Sequence, residues 1–279
     1  MNYSANEFFS SNAHLRAISE ICENESGIQL APEKYEMMKS RLRHRLRAHE
    51  LESLDAYTEF LCSKRGKNEL PLLISALTTN VSFFFREPHH FHTLSNILKP
   101  KIADKLKIGA KIRIWSAGCS HGQEPYSIMM HMLRVAPELE NADFKILATD
   151  IDLNALKFAE ASCYSHQMLQ GVSDADQSTF MAPAENGMKV QDNFRKLVFF
   201  KMLNLIKPWP MKNSFDAIFC RNVLIYFNDK CRVSTIPRFY DSLETDGALF
   251  LGHSERIVAP SDLGFSNIGP TSYLKSRHR

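Results

Sequence analysis

Residues 111–130 read KIRIWSAGCSHGQEPYSIMM, and the fold turns on how this stretch is read. An apolar strand through Ile112, Ile114 and Trp115 runs into a turn of small residues that holds Gly118 and Gly122. A helix then opens through Glu124 and Pro125. Glycine removes the Cβ where a chain turns sharply or a ligand meets backbone. Pro125 suits the first helical position, where its missing N–H costs nothing. The free amides of a helix start attract a carboxylate or another anion. The turn is not G-x-G-x-x-G and no Lys-Ser/Thr pair follows, so neither fingerprint of a pyrophosphate or triphosphate site is met. A nucleoside ligand without phosphates fits that absence. The alternative is a strand–helix turn that binds nothing.

Outward from this corner, Asp150 closes a second apolar strand at 144–150 and is followed by Ile151 and Asp152. In doubly wound sheets an acidic residue ending the second strand takes ribose hydroxyls, about 20 residues after the glycines. The gap here is longer, and a helix over 126–135 with a loop at 137–141 absorbs it. A third strand, 215–220, ends at Arg221, Asn222 and Val223, again polar residues over a crevice at strand carboxyl ends. From residue 111 onward strands alternate with helices, which predicts a mainly parallel sheet covered on both faces. Between 162 and 200 the alternation breaks at Gly171, Pro183 and Gly187, with short strands expected at 188–190 and 196–199. The reading is a small antiparallel insertion at about 163–200, or else a long surface loop. A helix follows Asp229, which Pro237 should kink or split. Segments 248–251 and 269–274 close the sheet like a hairpin.

Before residue 77 the pattern is helical throughout, with apolar residues at helical spacing over 8–21, 35–46, 54–61 and 70–77. The expected organisation is a helical domain at 1–76, a linker at 77–92 and an α/β domain at 93–279. With 279 residues and 44% apolar content, a sizeable core is available. The net charge of +3 gives no global signal for nucleic acid. No apolar run approaches the length of a membrane span, and the start MNYSANEFFSSN lacks the pattern of a secretory signal. Six cysteines without a C-x-x-C pair argue against a zinc site or disulfide scaffold. Together these predict a cytoplasmic protein, with nothing that demands more than a monomer.

One helix carries a marked charge bias. Between Pro32 and His49 lie Lys34, Lys39, Arg41, Arg43, Arg45 and Arg47 against Glu33 and Glu36. Tyr35, Met38, Leu42 and Leu46 form its apolar stripe, so basic groups cover much of the rest. An acidic partner is expected, and charge alone leaves nucleic acid, anionic lipid and an acidic protein surface open.

Taken together, the motifs resemble the chemotaxis receptor methyltransferase family (the CheR type) over almost the whole chain. The resemblance rests on residues 78–87 (TTNVSFFFRE), 115–127, 148–152 (ATDID), 215–227 (FDAIFCRNVLIYF) and 252–255 (GHSE). It implies a Rossmann-like methyltransferase domain with a small β insertion, preceded by an all-helical domain. S-adenosylmethionine would be the cofactor and S-adenosylhomocysteine the product, with glutamates of chemoreceptor cytoplasmic helices as substrate. By resemblance, Asn80, Ser82 and Arg86 approach the cofactor from the linker, Glu124 binds the methionine ammonium and Asp150 the ribose hydroxyls. Asn204 and Leu205 flank the adenine, and Asn222 and Val223 lie near the methionyl part. Arg86 and Tyr226 border the substrate carboxylate, and Arg41, Arg43, Arg45 and Arg47 engage the acidic methylation region. Departures are Gln123 where the family turn usually has a second Glu, Ser82 where Thr is common, and Pro237. A short loop near 182–188 leans away from members that grip a receptor's C-terminal peptide.

Glutamate has a reference pKa of about 4.3 and is already ionised at neutral pH, so esterifying it needs no general base. That agrees with the lack of any Ser/His/Asp or Cys/His arrangement. Two rival readings remain at this level. A nucleic-acid methyltransferase of the amino-methylating kind usually carries an Asp/Asn-Pro-Pro-aromatic run, where this chain has Arg221-Asn222-Val223-Leu224. A non-catalytic protein that senses S-adenosylmethionine would bind it and never consume it.

Overall fold

The computed structural model describes residues 12–212 and 214–276. Four helices come first, α1 (Asn12–Ser26), α2 (Tyr35–Ala48), α3 (Leu54–Cys62) and α4 (Leu70–Leu77). Residues 8–11 of the expected first helix lie outside the described residues. Leu15, Ile18, Met38, Leu42, Tyr57 and Leu73 are fully buried in one apolar cluster, so the helical spacing read from sequence is the packing face.

An extended linker leads to α5 (His89–Lys107), a helix the sequence pattern did not single out. There follow β1 (Ile112–Ala117), α6 (Gln123–Val135), β2 (Phe144–Asp150) and α7 (Leu153–Ala161). Next are β3 (Cys163–Tyr164), α8 (Asp174–Phe180), β4 (Met181–Ala184), β5 (Gly187–Val190), α9 (Asp192–Arg195) and β6 (Val198–Met202). The chain ends with β7 (Phe215–Cys220), α10 (Asp229–Asp241), β8 (Leu243–Leu251), β9 (Phe265–Gly269) and β10 (Ser272–Lys275).

The main sheet has strand order β6-β2-β1-β7-β8-β10-β9. Its first five strands are parallel, and β10 and β9 close it antiparallel. α5 and α6 cover one face and α10 the other. Every residue of β7 is buried, as expected of a strand packed on both sides, with Phe219 facing one core and Ile218 and Cys220 the other. Because β1 is flanked by β2 and β7, the chain reverses its direction of travel across the sheet there. A crevice opens at the carboxyl ends of such a pair.

Several expectations change. The segment around 196–199 does not belong to the insertion, because β6 pairs in parallel with β2 from Ile146↔Val198 to Asp150↔Met202. The separate antiparallel sheet is β3-β5-β4, its last two strands joined by a turn of only Glu185 and Asn186. Pro125 is the third residue of α6 rather than the first, a position whose N–H would also lack an intrahelical acceptor. α10 runs unbroken through Pro237. The proline leaves the Val233 carbonyl without its helical donor, at a residue that lies exposed to solvent.

One side chain joins the two halves of the molecule. The buried Asp152 caps α7 by accepting from the amides of Asn154 (2.8 Å) and Ala155 (3.2 Å). It also accepts from Ser75 Oγ on α4, Thr78 Oγ1 (3.0 Å) and Asn80 Nδ2 (2.5 Å) on the linker. Asp152→Ala removes the cap and strands three polar partners, so unfolding in urea should lose about 2–4 kcal/mol. An unchanged urea midpoint and slope would show that this junction does not hold the domains together.

Candidate functional site

A pocket lies over the carboxyl ends of β1, β2 and β7, and the linker and helical domain form its opposite wall. Asn80, Ser82, Arg86, Glu124, Asp150, Asn204, Leu205, Asn222, Val223 and Tyr226 all line it. The fold therefore brings together ten residues that span most of the sequence. It also adds residues that local sequence did not mark, among them Ile28, Leu30, Lys34 and Met37 from the helical domain.

The glycine corner forms as the sequence implied. Gly118 has φ of 88°, and a Cβ there would come within 2.3 Å of Val223 Cγ2, so the β1 and β7 loops touch only because position 118 has no side chain. Gly122, also at φ 88°, starts α6. Two further loop residues, Ser120 (φ 50°) and Asn222 (φ 59°), hold left-handed backbone that non-glycine residues rarely adopt.

A buried carboxylate holds Asn222 there. Glu255 accepts from the amides of Asn222 (2.8 Å), Val223 (2.9 Å), Ile225 (3.1 Å) and Gly252 (2.6 Å). Burial pushes its carboxyl up, and the four amides pull it back only in part. Glu255 is the last residue of the 252–255 motif. Three of its four partners lie thirty or more positions upstream, which no local pattern could reveal.

The pocket floor carries two further acids. Asp150 Oδ2 accepts from the Ser120 amide (2.7 Å) and Oδ1 from the Asp152 amide (2.9 Å). Burial nevertheless raises its carboxyl to about 6, with the backbone amides opposing. Glu124 accepts from Ser116 Oγ (2.6 Å) and from Arg221 Nε (2.6 Å). Arg221 is itself buried, donates to the Arg86 carbonyl, and lies over the rings of Phe91 and Phe219. This ion pair was not anticipated, although Arg221 stands inside the FDAIFCRNV motif.

At the mouth, Arg86 donates to the Val81 carbonyl at 3.2 Å, and its Nε is 3.9 Å from Glu87. These contacts leave most of the guanidinium donors uncommitted among the described residues. Tyr226 lines the same pocket, with Lys34 Nζ 5.1 Å from its ring centre. The Tyr226 carbonyl accepts from the Gln29 amide (2.8 Å), and Asn204 Nδ2 donates to the Glu25 carbonyl (2.7 Å), so the helical domain is fastened to this rim.

The basic face of α2 is narrower than its sequence implies. Arg45 forms a double hydrogen bond with the buried Glu69 (2.7 and 2.6 Å), which also receives Tyr57 and His49. Burial alone would raise the Glu69 carboxyl, but these donors outweigh it and hold it below the usual range. Arg41 donates to the Thr78 carbonyl (2.6 Å) at the end of α4. Arg45 is engaged inside the protein through two nitrogens and the half-buried Arg41 through one, which narrows the basic surface they offer. Arg43 and Arg47 are exposed.

Residues 80–274 match the family model described as CheR methyltransferase, SAM binding domain, and residues 13–78 match the CheR methyltransferase all-alpha domain. The chain belongs to the CheR methyltransferase family. It is 39% identical to a probable chemotaxis protein methyltransferase of Rhizobium etli, over 90% of this chain and 95% of the relative. It is 36% identical to chemotaxis protein methyltransferases of Borreliella burgdorferi (94% of each chain) and Escherichia coli (96% and 92%). The solved structure of magnesium protoporphyrin IX methyltransferase from Synechocystis aligns over 78% of this chain and 94% of that one, at TM-score 0.35 and 15% identity.

S-adenosylmethionine is accordingly the ligand to test against the pocket, and the donor set fits it. Asp150 and Glu124 keep acceptor capacity beyond their present partners. Leu203, Leu205, Ile28 and Val223 offer apolar walls, and the phosphate-binding loops of dinucleotide sites are absent from the motifs.

The Glu255→Gln variant should unfold with about 2–3 kcal/mol less free energy, because its amide group turns N–H donors toward backbone N–H donors. Thermal and denaturant melts measure this. Wild-type stability in both would remove Glu255 as the support of the Asn222 loop.

Proposed function

We propose that this protein methylates glutamate side chains on the cytoplasmic helices of chemoreceptors, giving methyl esters and S-adenosylhomocysteine. The reading rests on Arg86, whose guanidinium lines the pocket mouth with few protein partners, above a floor that is acidic. A planar fork of donors suits a carboxylate. The acidic floor suits the ammonium and hydroxyl groups of the cofactor.

When bound, S-adenosylmethionine supplies an electrophilic methyl that a carboxylate oxygen lone pair takes as the C–S electron pair leaves on sulfur. No proton moves in that displacement, so the protein's task is to orient and to exclude water. Arg86 aims the incoming carboxylate, and Tyr226 walls the approach beside Lys34. Glu124, aligned by its hydrogen bond from Arg221, receives the ammonium, and Asp150 receives the ribose hydroxyls. Asn80 and Ser82 close the cofactor from the linker, Asn204 and Leu205 flank the adenine, and Asn222 and Val223 border the methionyl chain. The exposed Arg43 and Arg47 face the acidic receptor surface. The reaction takes place in the cytoplasm, where those helices lie, and a single copy of the chain suffices for it. Among the described residues no helix is long and apolar enough to cross a membrane.

The protein is incubated with methyl-tritiated cofactor and receptor-rich membranes, and volatile methanol is scored after alkali. Methyl esters release methanol and N-methyl products do not. Label in nucleic acid that survives alkali would favour a nucleic-acid methyltransferase, and bound but unconsumed cofactor would favour a sensor. Arg86→Ala should keep S-adenosylhomocysteine binding within a few-fold while turnover falls about a hundredfold or more. Unchanged turnover would remove Arg86 from the mechanism.

Asp150 gives a pH dependence of defined sign. Its folded pKa lies above the unfolded value of about 3.9, so stability present at low pH is lost as pH rises through about 6. Ribose hydroxyls donate best to the ionised form, so binding runs the other way. Affinity for S-adenosylhomocysteine should weaken as pH falls below about 6, approaching tenfold per unit. Calorimetry from neutral to acid pH measures it, and Asp150→Asn should flatten the profile. A wild-type profile as flat as the variant's would mean Asp150 does not hold the ribose.

A further inference from the structure

Glu87, His89 and His90 stand where the linker enters α5, and none of them lines the cofactor pocket. One ligand atom from each lies within 4.8 Å of the others. Two buried atoms of this group, Glu87 Oε2 and His89 Nε2, have no hydrogen-bond partner among the described residues. A buried polar atom left unpaired is costly, and both of these belong to the one Glu87–His89–His90 cluster.

The surroundings prepare these atoms as ligands. The other oxygen of Glu87 faces His253, with the backbone N at 3.2 Å and Nδ1 at 3.3 Å, which fixes the carboxylate. Glu87 holds left-handed backbone at φ 55°. His90 is fully buried and its Nε2 faces Thr271 Oγ1 (3.1 Å) and the Pro270 carbonyl (3.3 Å). Donation to that carbonyl makes Nδ1 an acceptor, 3.4 Å from Glu87 Oε2 and 3.4 Å from Arg221 Nη1, whose donation a bound ion would displace. Metal-bound histidines are oriented in this way through the opposite ring nitrogen. Arg221 Nη1 lies 4.0 Å from Glu87 Oε2 and opposes a cation, although its charge is paired with Glu124.

We propose that Glu87, His89 and His90 form a binding site for a divalent cation of the zinc class, at the hinge between linker and α5. Two imidazole nitrogens with one carboxylate oxygen suit zinc or its borderline neighbours, whereas magnesium and calcium prefer oxygen alone. Arg86, next to Glu87 in the chain, lines the cofactor pocket, so a bound ion would stiffen the segment that presents it.

The test is zinc titration of the full chain after chelator treatment, by competition with a chromophoric chelator. Exposed Cys62 and Cys163 also bind zinc, so both are first replaced by serine. One zinc per chain is expected at micromolar affinity, unaffected by excess magnesium. His89→Gln and Glu87→Gln should each weaken it about tenfold or more, with circular dichroism confirming that the variants fold. No zinc uptake in the micromolar range overturns the site, as does equal uptake by either folded variant. Methyl-transfer assays play no part in this result, so it stands or falls apart from the proposed activity.

Discussion

The carboxylate of Asp152 is the constraint on which the arrangement depends. Its partners come from α4, from the linker and from the start of α7. It lies two residues after Asp150, at the end of β2, so the strand tip that lines the pocket also anchors the linker that roofs it. An N-cap can be supplied by many side chains. Only an acceptor with two oxygens reaches the helix amides and the linker donors at once. The pocket is consequently not a groove on one domain but a seam between two, held by this buried acid together with the Asn204–Glu25 and Gln29–Tyr226 bonds at the rim.

The charged groups of the seam are mutually supporting in the same way. Arg221 and Glu124 are both buried and paired. A buried pair of this kind adds little net stability over apolar packing, yet removing one member costs about 3–5 kcal/mol. Its value here is orientation, because Arg221 also holds the Arg86 carbonyl and so links the floor to the linker. Glu255 plays the corresponding part for the β7 loop, whose left-handed Asn222 is maintained by amides gathered on one carboxylate.

What the sequence made legible was local. The glycine corner, the acid at the end of β2 and the apolar stripe of α2 are read from neighbours in the chain, and each has its expected place. The failures involve partners distant in sequence. Arg41 and Arg45 look like surface charge until Glu69 and the end of α4 are folded against them. Residues 196–199 carry the same apolar pattern whether they pair in the insertion or with β2, and only the long-range register decides. Pro237 forbids its own hydrogen bond, but whether that breaks a helix depends on whether the stranded carbonyl meets water. The carboxylates of Asp152 and Glu255 were visible as letters, while their function as collectors of remote donors was not.

The site's polarity follows from how costly each buried charge is. Asp150 sits in a place that raises its carboxyl to about 6 despite two backbone donors, so the protein alone leaves its acceptor capacity incompletely used. Donors from a ligand would lower that cost, which makes hydroxyl recognition favourable because the acid is buried. The mouth shows the inverse case. Arg86 is partly exposed, with one hydrogen bond to a backbone carbonyl and a long 3.9 Å ion pair to Glu87, so most of its donors face the mouth. Too tight a pairing there would stabilise the ground state and slow the displacement. In the proposed role, a guanidinium held loosely at the rim would meet both demands, whereas one held like Arg221, fixed to Glu124, would not.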